Sequence, residues 1–123
     1  MRFTESEFAD LVDEAIQTLP SDFRKHLRNL TVIVQARPDE QLLRAIDMEG
    51  KMLLGLYQGI PVTRKSVRRP VELPERILIF QENIEAVCRS EEDVIQRVRK
   101  VVLHEVGHHF GFGEEELRRL GYR

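Results

Sequence analysis

SEEDVIQRVRKVVLHEVGHHFG, residues 90–111, is the longest run of the chain with an uninterrupted helical pattern. Ser90 is a helix-capping residue type, and the three acidic residues after it suit the positive end of a helix. Gly111 or Gly113 is expected to end the helix, because glycine adopts the backbone conformation that closes helices. The apolar residues recur at helical spacing and form one stripe: Val94, Ile95, Val98, Val101, Val102 and Val106. The stretch therefore predicts a long helix with one face buried in a core.

A second amphipathic helix is predicted near the N-terminus, from Thr4 to about Leu19. Thr4 and Glu7 have the spacing of a capping box, and apolar residues follow at intervals of three and four. Between the two long helices, three short apolar or β-branched runs predict strands at residues 30–36, 53–57 and 76–81. Short helices are expected at residues 39–46, 83–88 and 114–120. This arrangement predicts an α+β fold, a small mixed sheet with helices around it.

Composition and charge exclude several classes of protein. Of the 123 residues 41% are apolar and 33% charged, so we expect one folded domain over residues 1–123, neither disordered nor embedded in a membrane. Lys and Arg number 19 and Asp and Glu 21, a balance that argues against nucleic acid as a partner. The single cysteine, Cys88, excludes a disulfide framework and a four-cysteine zinc site. With no secretory or membrane-spanning pattern, we expect a cytoplasmic protein.

The chemistry of the chain is concentrated in His104-Glu105-Val106-Gly107-His108, an HExxH pattern. Residues four apart lie on the same face of a helix, so both imidazoles can reach one metal ion. Glu105 is displaced around the helix from His104, where it can accept a proton from a water molecule on the metal without being a ligand. Gly107 lies inside the helix, where glycine is either tolerated or allows close packing beside the metal, and we favour close packing. The pattern predicts a zinc site with Glu105 as catalytic base.

A catalytic zinc site needs a third protein ligand, which must come from the short segment after His108. His109 should point away, because successive residues differ by about 100° around a helix. Gly111 can break the helix and fold the chain back, so that Glu114 approaches the two histidines. Glu114 is therefore the expected ligand, and the adjacent Glu115 is its rival.

The extended pattern His104-Glu105-x-x-His108-x-x-Gly111-x-x-Glu114 resembles the zincin metallopeptidase motif, HExxHxxGxx followed by a third ligand. More narrowly, HEVGHHFGFGEEEL (residues 104–117) and LLGLYQGIPVTRKSV (residues 53–67) are similar to the small bacterial minimal zincins, which are classed as possible zinc metallopeptidases. The resemblance implies a compact zincin-like core, Zn²⁺ held by His104, His108 and Glu114, and Glu105 as general base. No methionine follows Met52, so the chain lacks the methionine turn of the metzincins.

Two functions from different classes follow. The first is a zinc-dependent hydrolase of short or flexible peptides, with the strand LLGLY (residues 53–57) as the edge that holds the substrate extended. The alternative is a metal-binding module that has weak or no peptidase activity and acts through a partner protein.

Other residues could assist the hydrolase. Tyr57 and Tyr122 are candidate donors to the oxyanion. The basic cluster Arg64, Lys65, Arg68 and Arg69 is either a solvated loop or a flap that offers cations to the substrate. A metal-dependent ribonuclease is disfavoured by the acidic pI and the missing third histidine.

Overall fold

The computed structural model describes residues 2–59 and 75–119, apart from the side chain of Glu114. The basic cluster predicted at residues 60–74 and Tyr122 lie outside this part of the chain. The elements in chain order are α1 (Glu5–Gln17), α2 (Ser21–Arg24), a 3₁₀ turn (Lys25–Leu27), β1 (Leu30–Gln35), α3 (Glu40–Ala45), β2 (Gly55–Gln58), β3 (Glu75–Phe80), α4 (Gln81–Ala86), α5 (Glu91–His109) and α6 (Glu114–Arg119).

The three strands form one mixed sheet in the order β1–β3–β2. β1 runs parallel to β3, and β2 runs antiparallel to it. The central strand β3 is buried from Ile77 to Phe80, as expected for a strand that has neighbours on both sides and helices over its face. Among the described residues, β2 is therefore an edge strand of the sheet, and α5 packs against it.

Helices α1 and α5 pack together and supply most of the core that covers the sheet. The capping box at the start of α1 is present: Thr4 Oγ1 accepts from the Glu7 amide at 3.0 Å, and Glu7 Oε1 accepts from the Thr4 amide at 2.8 Å. In α5, Ser90 caps the first turn, and the predicted apolar stripe is buried except at Val101, which is half-buried. Both long helices, and with them the α+β fold, are therefore confirmed.

Several element boundaries differ by one or two residues from the sequence-based expectation, and two of these differences affect packing. The second strand begins at Gly55 rather than at residue 53, although the carbonyl oxygen of Leu54 already accepts from the amide of Phe80 at 3.0 Å. Gln81 starts α4 instead of ending β3, and its side chain donates to Glu85 Oε2 and to the carbonyl of Phe3. The Gln81 amide thus ties α4 to the N-terminal segment, a tertiary contact that local strand propensity does not encode.

Gly55 lets the edge strand lie directly on α5. A Cβ atom at this position would lie 2.5 Å from Val101 Cγ1 and 2.9 Å from the carbonyl oxygen of Leu78. Both distances are shorter than van der Waals contact, so a larger residue would force β2 and α5 apart. Gly55 therefore permits a close backbone approach, which fixes the separation between the edge strand and the helix that carries the HExxH residues.

Candidate metal centre and catalytic site

His104 and His108 lie in the last turns of α5 and are brought together on one face. Their ring centroids are 4.6 Å apart with an angle of 79° between the ring planes. Both side chains are exposed to solvent, with 47% of the His104 side chain accessible. Two adjacent, accessible imidazoles have the chemistry and the spacing that a zinc ion needs from its first two ligands.

Glu105 connects the metal helix to the edge strand. Its Oε1 atom accepts a hydrogen bond from the backbone amide of Tyr57 at 3.1 Å, and its Oε2 atom lies 3.9 Å from His104 Nε2. The side chain is 24% exposed, so the carboxylate is partly enclosed but accessible to water. One oxygen is therefore held by β2, while the other lies near His104.

The chain turns back immediately after the histidines. Gly111 has a φ of +80°, and its amide donates to the carbonyl of His108 at 3.1 Å. The amide of Phe112 donates to the carbonyl of Gly107 at 2.8 Å, which completes a Schellman motif. Gly111 thus ends α5 as predicted, because the left-handed conformation it adopts is unfavourable for other residues.

Gly107 allows α6 to pack beside the histidines. A Cβ atom at Gly107 would lie 2.6 Å from Cδ2 of Leu117, which is fully buried. The small residue therefore leaves room for α6 to lie against α5, which agrees with the interpretation of Gly107 as a packing residue. Because Glu114 is the first residue of α6, this contact holds the helix that carries Glu114 against the end of α5.

The structure describes the side chains of the two glutamates that follow Glu114. Glu116 Oε1 accepts from the Gly113 amide at 3.3 Å at the start of α6, and Glu115 is exposed. Within residues 2–59 and 75–119, leaving aside the side chain of Glu114, no three His, Cys, Asp or Glu side chains are grouped so that they could hold a metal ion. The choice between Glu114 and its rival Glu115 as third ligand therefore stays a prediction.

Tyr57 and His109 form a second link between β2 and the end of α5. The Tyr57 hydroxyl and His109 Nε2 are 2.8 Å apart, and the two rings stack with centroids 4.0 Å apart. Burial, followed by the charge of and a hydrogen bond to Glu75, raises the pKa of Tyr57 to about 12. The hydroxyl is therefore protonated at neutral pH and is held by His109 and Glu75. His109 therefore packs against β2, and its orientation away from the metal stays a prediction.

A groove of about 290 Å³ runs along α5 next to the histidines. Residues 53–55 form one wall, and His104 and Glu105 lie at one end. Arg97 and Lys100 also line the groove, although neither belongs to a recognised motif of the sequence. Their positions seven and four residues before His104 place them on its face of the helix, a spacing that could have identified them.

Comparison with known proteins finds one matching family and a similar solved structure. The sequence profile of the zincin-like metallopeptidase family matches residues 27–122, which is most of the chain. A solved structure of a conserved hypothetical protein from Thermo thermophilus is similar, with 27% identity, a TM-score of 0.55, and coverage of 87% of this chain and 94% of that chain. No curated protein matches this sequence. Among the described residues, no helix is long and apolar enough to cross a membrane.

Proposed function

The chain belongs to the zincin-like metallopeptidase family, and from this membership we propose that it is a zinc-dependent peptidase that hydrolyses bonds in short or flexible peptides. The observation that carries the proposal is the position of Glu105, whose carboxylate lies between the amide of Tyr57 and the His104 imidazole. A base beside the predicted ligands and against an edge strand is the arrangement that metal-assisted peptide hydrolysis requires.

The donors present fit a zinc ion. His104 and His108 supply two neighbouring imidazoles, and we assign Glu114 as the third ligand. Two histidines and one carboxylate are a ligand set of catalytic zinc sites, which keep a fourth position open. When bound, Zn²⁺ supplies Lewis acidity, which polarises the peptide carbonyl and lowers the pKa of water.

Glu105 carries out the proton transfers in this proposal. The hydrogen bond from the Tyr57 amide holds Oε1 and leaves Oε2 directed towards the histidines. The carboxylate takes a proton from the attacking water and returns it to the nitrogen of the leaving amine, so that Glu105 is unchanged after one turnover. Fixing one oxygen orients the other, which favours transfer because the base need not reorganise.

The edge strand provides the place for the substrate backbone. The carbonyl of Leu54 bonds to β3 while the amide of Tyr57 faces Glu105, so alternate residues of β2 direct their backbone groups away from the sheet. Gly55 and Tyr57 are the outward-facing positions. An extended peptide that pairs with the outward backbone groups of Gly55 would lie beside Glu105 and His104. This arrangement supports a peptide substrate held in an extended conformation.

A comparison of wild type and Glu105→Gln tests the proposal. Glutamine keeps the size of the side chain but is not basic at neutral pH, so peptide hydrolysis should fall by about 10²-fold or more. Glu91→Gln is the matched control, because it removes the same charge from the exposed start of α5 and should leave hydrolysis unchanged. Both variants should retain the zinc content of the wild type, measured by elemental analysis.

The same experiment separates the alternatives. Loss of zinc from Glu105→Gln would make Glu105 a ligand and contradict its assignment as base. Equal hydrolysis by Glu105→Gln and wild type would show that the chemistry occurs elsewhere. If the wild type, loaded with zinc, cleaves nothing in a diverse peptide library, the peptidase proposal is wrong and the metal-binding interaction module takes its place.

A further inference from the structure

The groove beside His104 and Glu105 is cationic. Arg97 and Lys100 line it from α5 and are both half-buried, whereas Glu105 is the carboxylate at its inner end. Neither cation forms a salt bridge with a carboxylate in the part of the chain that the structure describes. A groove with two cations and one carboxylate, which itself is bonded to the Tyr57 amide, attracts a negatively charged group.

The acidic residue one turn from Arg97 is not paired with it. Asp93 lies one turn before Arg97 on α5, but its carboxylate accepts from the backbone amide of Arg89 at 3.0 Å. The guanidinium of Arg97 lies near the buried Cys88, where it lowers the pKa of a thiol that burial raises. An uncharged thiol does not balance the guanidinium. Because Arg97 lines the groove without a salt bridge among the described residues, its guanidinium can pair with a ligand there.

The polarity of β2 determines which part of a substrate reaches the groove. An antiparallel pairing is slightly more stable per residue than a parallel one, so a peptide along β2 is expected to run from Gln58 towards Gly55. The groove lies beyond Gly55, against residues 53–54. Residues that follow the cleaved bond would therefore lie over Arg97 and Lys100.

We propose that this groove binds a carboxylate on the C-terminal side of the cleaved bond, from either an acidic side chain or a free C-terminus of the peptide. The inference rests on the peptidase function and names its substrate preference. Arg97 and Lys100 act as specificity-determining residues that form charge-assisted hydrogen bonds with the carboxylate. Val101 and the backbone at Gly55 form the floor between the cations and the reacting groups.

Binding of three synthetic peptides tests the inference without relying on turnover. Each peptide has eight alanine and serine residues and a neutral dye, with one central position changed. The first has glutamate there and an amidated C-terminus, the second glutamine and an amidated C-terminus, and the third glutamine and a free carboxylate. Affinities are measured by fluorescence anisotropy on zinc-loaded protein in a Glu105→Gln background, so that the peptide stays intact.

We expect the first or the third peptide to bind about tenfold more tightly than the second at low salt, with the preference decreasing as salt is added. The peptide that gains affinity identifies the source of the carboxylate. In the double variant Arg97→Gln, Lys100→Gln the preference should fall below about threefold. Arg44→Gln, which removes an exposed cation outside the groove, should leave it unchanged.

Equal affinity of all three peptides for the Glu105→Gln protein with Arg97 and Lys100 intact would overturn the inference. A preference that persists in the double variant would also overturn it. If circular dichroism shows that the double variant is unfolded, Lys100→Gln alone should reduce the preference by about threefold, and an unchanged preference would overturn the inference. Cleavage of a peptide library without acidic residues or termini after the cleaved bond would overturn it while leaving the peptidase function intact. Charge-selective binding without any cleavage would support the carboxylate preference of the groove and contradict the peptidase function.

Discussion

Replacing Gly55 with alanine should test how closely the edge strand must approach the helix of the histidines. The new Cβ atom would lie 2.5 Å from Val101 Cγ1, whereas carbon atoms pack at about 3.5 Å or more. It would also lie 2.9 Å from the Leu78 carbonyl oxygen, a backbone atom of the central strand that cannot rotate away. The strand must therefore move by about 1 Å from α5, which stretches the hydrogen bond between the Tyr57 amide and Glu105.

The magnitude follows from two opposing terms. Overpacking of a core costs about 1–3 kcal/mol, and alanine regains about 0.4–1 kcal/mol because it restricts the unfolded chain. The free energy of unfolding should thus fall by about 1–2 kcal/mol, or about 4–8 °C in melting temperature. Displacement of a catalytic group by about 1 Å can cost about 10²-fold in rate, so the loss of peptide hydrolysis should exceed what the lost stability explains.

Urea and thermal unfolding followed by circular dichroism measure the stability, and cleavage of a peptide substrate at 25 °C measures the activity. Val101→Ala removes the clashing methyl group, so it should cost less in the Gly55→Ala background than in wild type, with a coupling of about 1 kcal/mol. Wild-type stability of Gly55→Ala, or strict additivity with Val101→Ala, would refute the steric explanation. Full activity of a destabilised Gly55→Ala protein would refute the link between strand position and Glu105.

Three further predictions address the metal and its surroundings. Glu114→Ala should release zinc, measured by elemental analysis after dialysis, whereas Glu115→Ala should retain it; equal losses would assign the ligand differently. In a spectrophotometric titration, Tyr57→Phe should remove a phase near pH 12, because burial and Glu75 raise the pKa of Tyr57; the wild type should lose stability as the pH rises from about 10 to 12. Gly107→Ala should weaken zinc binding by displacing α6 through Leu117, and the additional change Leu117→Ala should restore part of the affinity.

Local signals in the sequence were sufficient for most of the fold. Caps at Thr4 and Ser90 and the helix-ending Gly111 are encoded by residues within a turn of the boundary they set, and each is present in the structure. The end of β3 was not predictable in this way, because Gln81 enters a helix where its side chain bonds to the N-terminal segment. Such a contact between residues far apart in the chain leaves no periodic trace in the sequence.

In the candidate site, too, the features set by local helix geometry were predictable and those set by tertiary packing were not. Helical geometry predicts that His104 and His108 share a face, and their rings are adjacent. The hydrogen bond from Tyr57 to Glu105 depends on how α5 packs on β2, which local spacing does not specify. Arg97 lies about two helical turns before His104 on the same face of α5. That it lines a groove depends on the wall formed by residues 53–55, which helical spacing does not predict.

The hydrogen bond between Glu105 and the Tyr57 amide also bears on self-association. An edge strand with unpaired amides is a template for pairing with a strand of another molecule, which leads to aggregation. β2 has four residues, and one of its outward amides is already occupied by a carboxylate of the same chain. A strand of a second copy that pairs along the whole of β2 would have to displace this charged acceptor from the Tyr57 amide, whereas a substrate that pairs only with Gly55 would not. The proposed catalytic base would therefore also oppose edge-to-edge polymerisation.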